Sequence, residues 1–240
     1  MRPRDVRLDA DALQHYTLAV TAWGDNQGKG VVMESVRARR FLAVGGLVFV
    51  LLLVVSIAVV PNISSHASAA KITSFAHDHK TGLRVSAIAI VLAIVVGLFF
   101  FWYLRDYLST AASGRVENVA FAGAVLFAVS GGVSAGYQLT LADAVGHADA
   151  SAFRALNLLY GNFNFAMTAA SVIAMLVAYG IATIRTGQLA RWIGWLAIVL
   201  GVVSIIGVGA LAAGLWILVV SVALLVRAGR SPTTPATDVP

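Results

Sequence analysis

The chain has 240 residues, of which 59% are hydrophobic and only 12% charged, and its mean hydropathy is +0.86. Soluble domains carry about 25% charged residues, so a surface that faces water all round is excluded. Cysteine is absent, which removes disulfides, thiolate metal sites and thiol catalysis, and the net charge of +6 raises nucleic acid as a partner only until the basic residues are placed.

Residues 1–40 are polar and mixed, and Gly24, Gly28 and Gly30 interrupt any long helix there. Two expectations stand for this segment. Met33, just before a basic lead ending at Arg39 and Arg40, is the native start and residues 1–32 are upstream sequence; or the whole segment is a cytoplasmic tail.

A bilayer core about 30 Å thick needs roughly 20 apolar residues per helix. Residues 41–60, 85–104, 118–139, 157–184, 192–210 and 212–227 meet or approach that length. The last two share one apolar run, and Gly207, Gly209 and Gly214 offer it a place to turn. The runs lack the alternation of a membrane β-barrel, and only helices satisfy their own backbone in lipid. The predicted fold is therefore all-α: a bundle of six transmembrane helices over residues 41–228, with residues 229–240 as a disordered C-terminal tail. Ala67-Ser68-Ala69 resembles a signal cleavage site, but the apolar run before it is too long and ends too early, so helix 1 reads as an uncleaved anchor.

The loop after helix 1 holds Ile72, Phe75, Ala76 and His79 at helical spacing, which predicts a short helix on the outer membrane surface. Asn62-Ile63-Ser64 matches a glycosylation sequon and carries little weight. No internal repeat of the transporter kind stands out.

Orientation follows from the basic residues. With both termini cytoplasmic, thirteen of the 17 Lys and Arg fall inside and only Lys71, Lys80, Arg84 and Arg154 fall outside, as the positive-inside rule requires. The basic balance is a topology signal, and nucleic acid drops out as a partner. Phe99 to Tyr103 and the pair Trp192 and Trp195 sit at the inner interface as aromatic anchors.

Helices 3 and 4 of the six carry most of the polar residues. Asn157, Tyr160, Asn164, Thr168 and Ser171 step by three or four and share one face, as do Ser130, Ser134, Tyr137 and Gln138. An amide facing lipid is costly, so the stripes are expected to face each other or the bundle interior. Two readings stay open. The stripes are interhelical adhesive, helped by the small-xxx-small face Gly132-Val-Ser-Ala-Gly136; or they line a polar pocket that opens outward and takes a lipid headgroup or a small polar solute. Tyr137, Gln138, Asn157, Tyr160, Asn164 and Thr168 are its candidate ligand-binding residues.

Gly132-Val-Ser134-Ala-Gly136 also matches the nucleophile-elbow pattern, which needs a strand-to-helix turn and a His base; inside a helix with no nearby His it names no hydrolase. His77 and His79, with Asp143 and His147 from the next outer loop, supply metal-ligand types, against the simpler reading of solvated loop residues. No Asp, Glu, Lys, Arg or His lies near the middle of any of the six spans and no P-loop is present, which turns the expectation away from haem, retinal, proton coupling and nucleotide drive. No cofactor is called for.

Three stretches, Ser74-Phe-Ala-His-Asp-His-Lys-Thr81, Phe100-Phe-Trp-Tyr-Leu-Arg-Asp-Tyr107 and Thr186-Gly-Gln-Leu-Ala-Arg-Trp-Ile-Gly-Trp195, give residues 36–228 a layout similar to a diffuse group of six-span actinobacterial integral membrane proteins. That resemblance implies no activity and no catalytic residue. The expectation is a multi-pass protein of the plasma membrane, non-enzymatic, surrounded by lipid. It binds a lipid, a small polar ligand, a membrane-protein partner or a second copy of itself through the outer half of helices 3 and 4. A passive facilitator and a metal-dependent membrane enzyme are the alternatives.

Overall fold

A computed structural model describes residues 40–61, 63–64, 66–109, 114–145 and 149–229. Among these residues it is all-helical, without strands. The helices are α1 (Arg40–Val59), α2 (Ala69–Asp78), α3 (Lys80–Leu108), α4 (Gly114–Ala144), α5 (Ala150–Thr186), α6 (Arg191–Val203) and α7 (Gly209–Gly229). Five of them, α1, α3, α4, α5 and α7, are long and apolar enough to cross a membrane. The chain is a multi-pass helical membrane bundle. The expectations for residues 1–39 and 230–240, and for Asn62 and His147, lie outside the described residues.

Consecutive spanning helices run antiparallel. Gly97 meets Phe49 between α3 and α1, Gly123 meets Met175 between α4 and α5, and Gly180 meets Gly194 between α5 and α6. Gly46 packs on Ser221, and Gly214 on Leu53, so α7 returns to α1 and closes the ring. The central helix is α5, which touches α2, α3, α4, α6 and α7. Its 37 residues make it about 55 Å long, far longer than the hydrocarbon core. Its surplus therefore stands above the bundle, at what we call the cap end.

Two apolar cores result. The large one, at the base end, is built around Phe100, Phe101, Met175, Leu176, Tyr179 and Trp216. Tyr179 Oη donates to the Phe101 carbonyl at 3.0 Å, and Trp216 Nε1 to the Ile193 carbonyl at 3.2 Å, so both buried polar tips are satisfied. The small core, at the cap end, joins Ile72 and Ala76 of α2 to Leu83, Tyr137, Leu141 and Phe153.

That second core corrects the placement of α2. The helix is present, started by Ser68, whose hydroxyl accepts the Lys71 amide. Its apolar face meets protein rather than lipid: Ile72 and Ala76 are wholly buried against α4 and α5. An amphipathic pattern specifies an apolar neighbour and leaves open which one.

The end of the bundle differs from expectation too. The predicted span 192–210 stops at Val203 and continues only as one 3-10 turn, Ser204–Ile206. Gly207 then takes φ +92°, a conformation that glycine tolerates without a Cβ clash, and α7 begins at Gly209 instead of residue 212. The 13-residue α6 is about 20 Å long, short of a full crossing.

A third correction concerns the small-residue face of α4. A Cβ added at Gly132 or at Gly136 would meet nothing within 4 Å, so neither glycine brings helices together. The close approaches use Gly123, Gly180 and Gly194 instead, where an added Cβ would fall 2.6, 2.6 and 2.7 Å from its nearest neighbour. At the base end, Phe99, Trp102, Trp192 and Trp195 are exposed on the outside, in keeping with an interfacial aromatic belt.

Candidate functional site

Between the two cores lies a cavity of about 740 Å³, within the size range of small-molecule sites. All six candidate ligand-binding residues line it: Tyr137 and Gln138 from α4, and Asn157, Tyr160, Asn164 and Thr168 from α5. Ser130 and Ser134 join them from α4. The opposite wall is apolar, from Leu53 and Ile57 of α1 and Val60 just after it, together with Ile90 of α3 and Phe127 of α4. The corner between α6 and α7, with Ser204, Gly207 and Ala210, forms part of the floor and side.

The stripes meet because α4 and α5 are antiparallel with matching period. Ser130 Oγ lies 2.9 Å from Asn164 Oδ1 and 2.5 Å from Thr168 Oγ1. Ser134 Oγ lies 3.2 Å from the same amide oxygen and 3.1 Å from the Ser130 carbonyl. Tyr160 Oη donates to Ser134 Oγ at 3.2 Å and accepts from Asn164 Nδ2 at 3.3 Å. One turn nearer the cap, Tyr137 Oη donates to Asn157 Oδ1 at 2.6 Å, and Asn157 Nδ2 donates to the Ser64 carbonyl at 3.1 Å. Adhesion and cavity are thus the same residues: each side chain binds a neighbour with one atom and lines the space with others.

Gln138 is the exception. Its Oε1 is buried and has no hydrogen-bond partner among the described residues. A buried acceptor left empty costs about 1–3 kcal/mol, and other atoms of the same side chain line the cavity.

The cavity is also uncharged. Among the described residues, its polar lining consists of hydroxyls and carboxamides, with no Asp, Glu, Lys, Arg or His. The nearby ions satisfy each other outside it: Arg84 Nη2 donates to Asp143 Oδ1 at 2.7 Å, and both side chains are largely exposed.

Below the chamber a second, smaller space of about 50 Å³ runs between α1, α3 and α4. It shares Leu53, Ile90, Phe127 and Gly131 with the large cavity, and its lining residues are all apolar.

Of the proposed metal ligands, His77, His79 and Asp143 do not gather, and His147 lies outside the described residues. Among the described residues no group of three or more His, Cys, Asp or Glu is placed to hold a metal. His79 joins α2 to α3 and stacks on Phe75 at 4.7 Å, His77 is exposed with Asp78 as its near neighbour, and Asp143 is engaged by Arg84. The Gly132–Gly136 motif sits inside α4, so Ser134 is on no strand-to-helix elbow.

Residues that the sequence reading did not single out also matter. Ser56, Ser64 and Ser204 line the cavity. Ser204 precedes the Gly207 break by three residues, the one sequence signal that placed it near a corner. Glu117, read as lying just before a span, is wholly buried in the first turn of α4, where the helix N-terminus favours a negative charge. Comparison with family models, with curated proteins and with solved structures yields no match.

Proposed function

We propose that this is a six-span plasma-membrane protein, with both termini cytoplasmic, that holds a ligand in the chamber between α1, α4, α5 and the α6–α7 corner. In this reading the cap end faces outward and α6 with its 3-10 turn makes the sixth, short crossing. The excess of basic residues assigned to the base side, thirteen against four on the cap side, supports that orientation, and the six-span actinobacterial resemblance belongs to the same proposal. The role is binding, without catalysis.

The observation that carries the proposal is the convergence of two polar stripes on one chamber with an apolar far wall. Such a site suits a lipid or another molecule with a polar and an apolar part. Along α5 the chamber ends towards the base: below Thr168, the buried Val172, Met175, Leu176 and Tyr179 fill the bundle, and the small crevice beside them has only apolar lining. That closure favours holding a ligand over passing a solute.

Native mass spectrometry of the protein extracted in mild detergent tests this. The expected result is a reproducible adduct on the wild type that is lost in Asn164→Leu and weakened in Tyr160→Phe, with both variants still folded. A bare chain throughout, with variants that merely melt earlier, would reduce the stripes to helix adhesion and overturn the proposal.

A further inference from the structure

Resting on that reading, we infer that the ligand is an amphiphile with an uncharged, hydroxyl-bearing headgroup, its head in the chamber and its aliphatic part against the apolar wall and crevice.

Charge decides the first half. An anionic phosphate or carboxylate moved into this chamber would lose its water and find no cation among the described lining residues, and a desolvated, unpaired charge is costly. A free ammonium would find no carboxylate there either. Hydroxyls and carboxamides, by contrast, both donate and accept, which matches the alternating demands of a polyol or sugar.

The aromatic pair points the same way. Tyr137 and Tyr160 stack with ring centroids 3.8 Å apart and planes 3° from parallel. Tyr160 is partly buried and lines the chamber, and an aromatic ring beside amide and hydroxyl groups suits the C–H face of a sugar ring. Gln138 lines the chamber, and a turn of its carboxamide brings the unpaired Oε1 out to a ligand hydroxyl. The tail follows from adjacency: Leu53, Ile90 and Phe127 line both the chamber and the apolar crevice, whose other walls include Phe49 and Gly97.

The test uses the full chain in detergent, with three probes compared by native mass spectrometry. These are monoglucosyl diacylglycerol, phosphatidylglycerol with the same acyl chains, and methyl glucoside. Retention of the glucosyl lipid at least about tenfold above phosphatidylglycerol is expected, with methyl glucoside not retained. Gln138→Leu is expected to lower retention of the glucosyl lipid about tenfold, the loss that goes with one buried hydrogen bond. Its melting temperature is expected to hold or rise, because an unsatisfied buried atom is removed. Preference for phosphatidylglycerol would overturn the headgroup inference while leaving ligand binding intact. Retention of methyl glucoside as strong as that of the glucosyl lipid would overturn the amphiphile. Retention of none of the three probes would overturn this inference, and the adduct experiment above then decides separately whether the chamber binds anything.

Discussion

Tyr137 of α4 and Tyr160 of α5 lie face to face, and each hydroxyl is engaged by a different polar neighbour, Asn157 for Tyr137 and Ser134 for Tyr160. The pair joins the small cap core to the chamber. It ties the packing of the cap to the geometry of the polar wall.

Tyr137→Phe removes one short hydroxyl bond, to Asn157, and Tyr160→Phe removes two longer ones, to Ser134 and from Asn164. Each substitution is expected to cost about 1 kcal/mol. Reversible unfolding in mixed micelles measures both. A variant of either tyrosine as stable as the wild type would contradict the geometry.

The glycines separate into two groups with opposite expectations. Gly180→Val drives side-chain atoms into the Gly194 carbonyl, where even an added Cβ would come within 2.6 Å; overpacking of this kind costs about 1–3 kcal/mol or more. Gly132→Ala and Gly136→Ala meet open space, and better helix propensity is expected to leave stability unchanged or raise it by up to about 1 kcal/mol. Melting curves of the three variants decide; a severe loss in Gly132→Ala would restore the small-residue face as a packing surface.

Orientation is directly testable because the chain has no cysteine of its own. Single cysteines at His66 and at Gln188 place one exposed thiol at each end of the bundle. A membrane-impermeant maleimide added to intact cells is expected to label His66→Cys and to spare Gln188→Cys until the cells are opened. The reverse pattern would invert the proposed topology.

The Arg84–Asp143 pair is exposed, so Asp143→Asn is expected to cost less than about 1 kcal/mol. Chelator treatment is expected to leave the melting temperature of the wild type unchanged. A chelator-induced drop that Asp143→Asn abolishes would bring back a metal role for Asp143, with His77, His79 or His147 as partners.

Much of the bundle was legible in the sequence because spans declare themselves by length and hydropathy. Their ends were not, since α3 and α5 continue helical into polar residues: Lys80 instead of 85, and Ala150 instead of 157. Hydrogen bonding to the helix does not stop where lipid stops. The stripes on α4 and α5 were readable from their spacing alone, because a shared face needs only the helical period. The space beside them was not, since the apolar wall comes from α1 and from the α6–α7 corner, and no local pattern encodes a gap between distant helices. Gly132 and Gly136 mislead for the same reason: small residues permit close approach but do not say whether a neighbour is there. Glu117 was hidden by its position at the edge of a span, where sequence cannot tell a solvated carboxylate from one folded into the protein.

The most direct measurement is a single-particle structure of the protein in nanodiscs formed from its own membrane lipids. The expected result is one elongated density in the chamber, its head against Gln138 and Tyr160 and its tail towards Ile90 and Phe127. A chamber holding only ordered water, or closed by side chains from α1, would contradict the binding role.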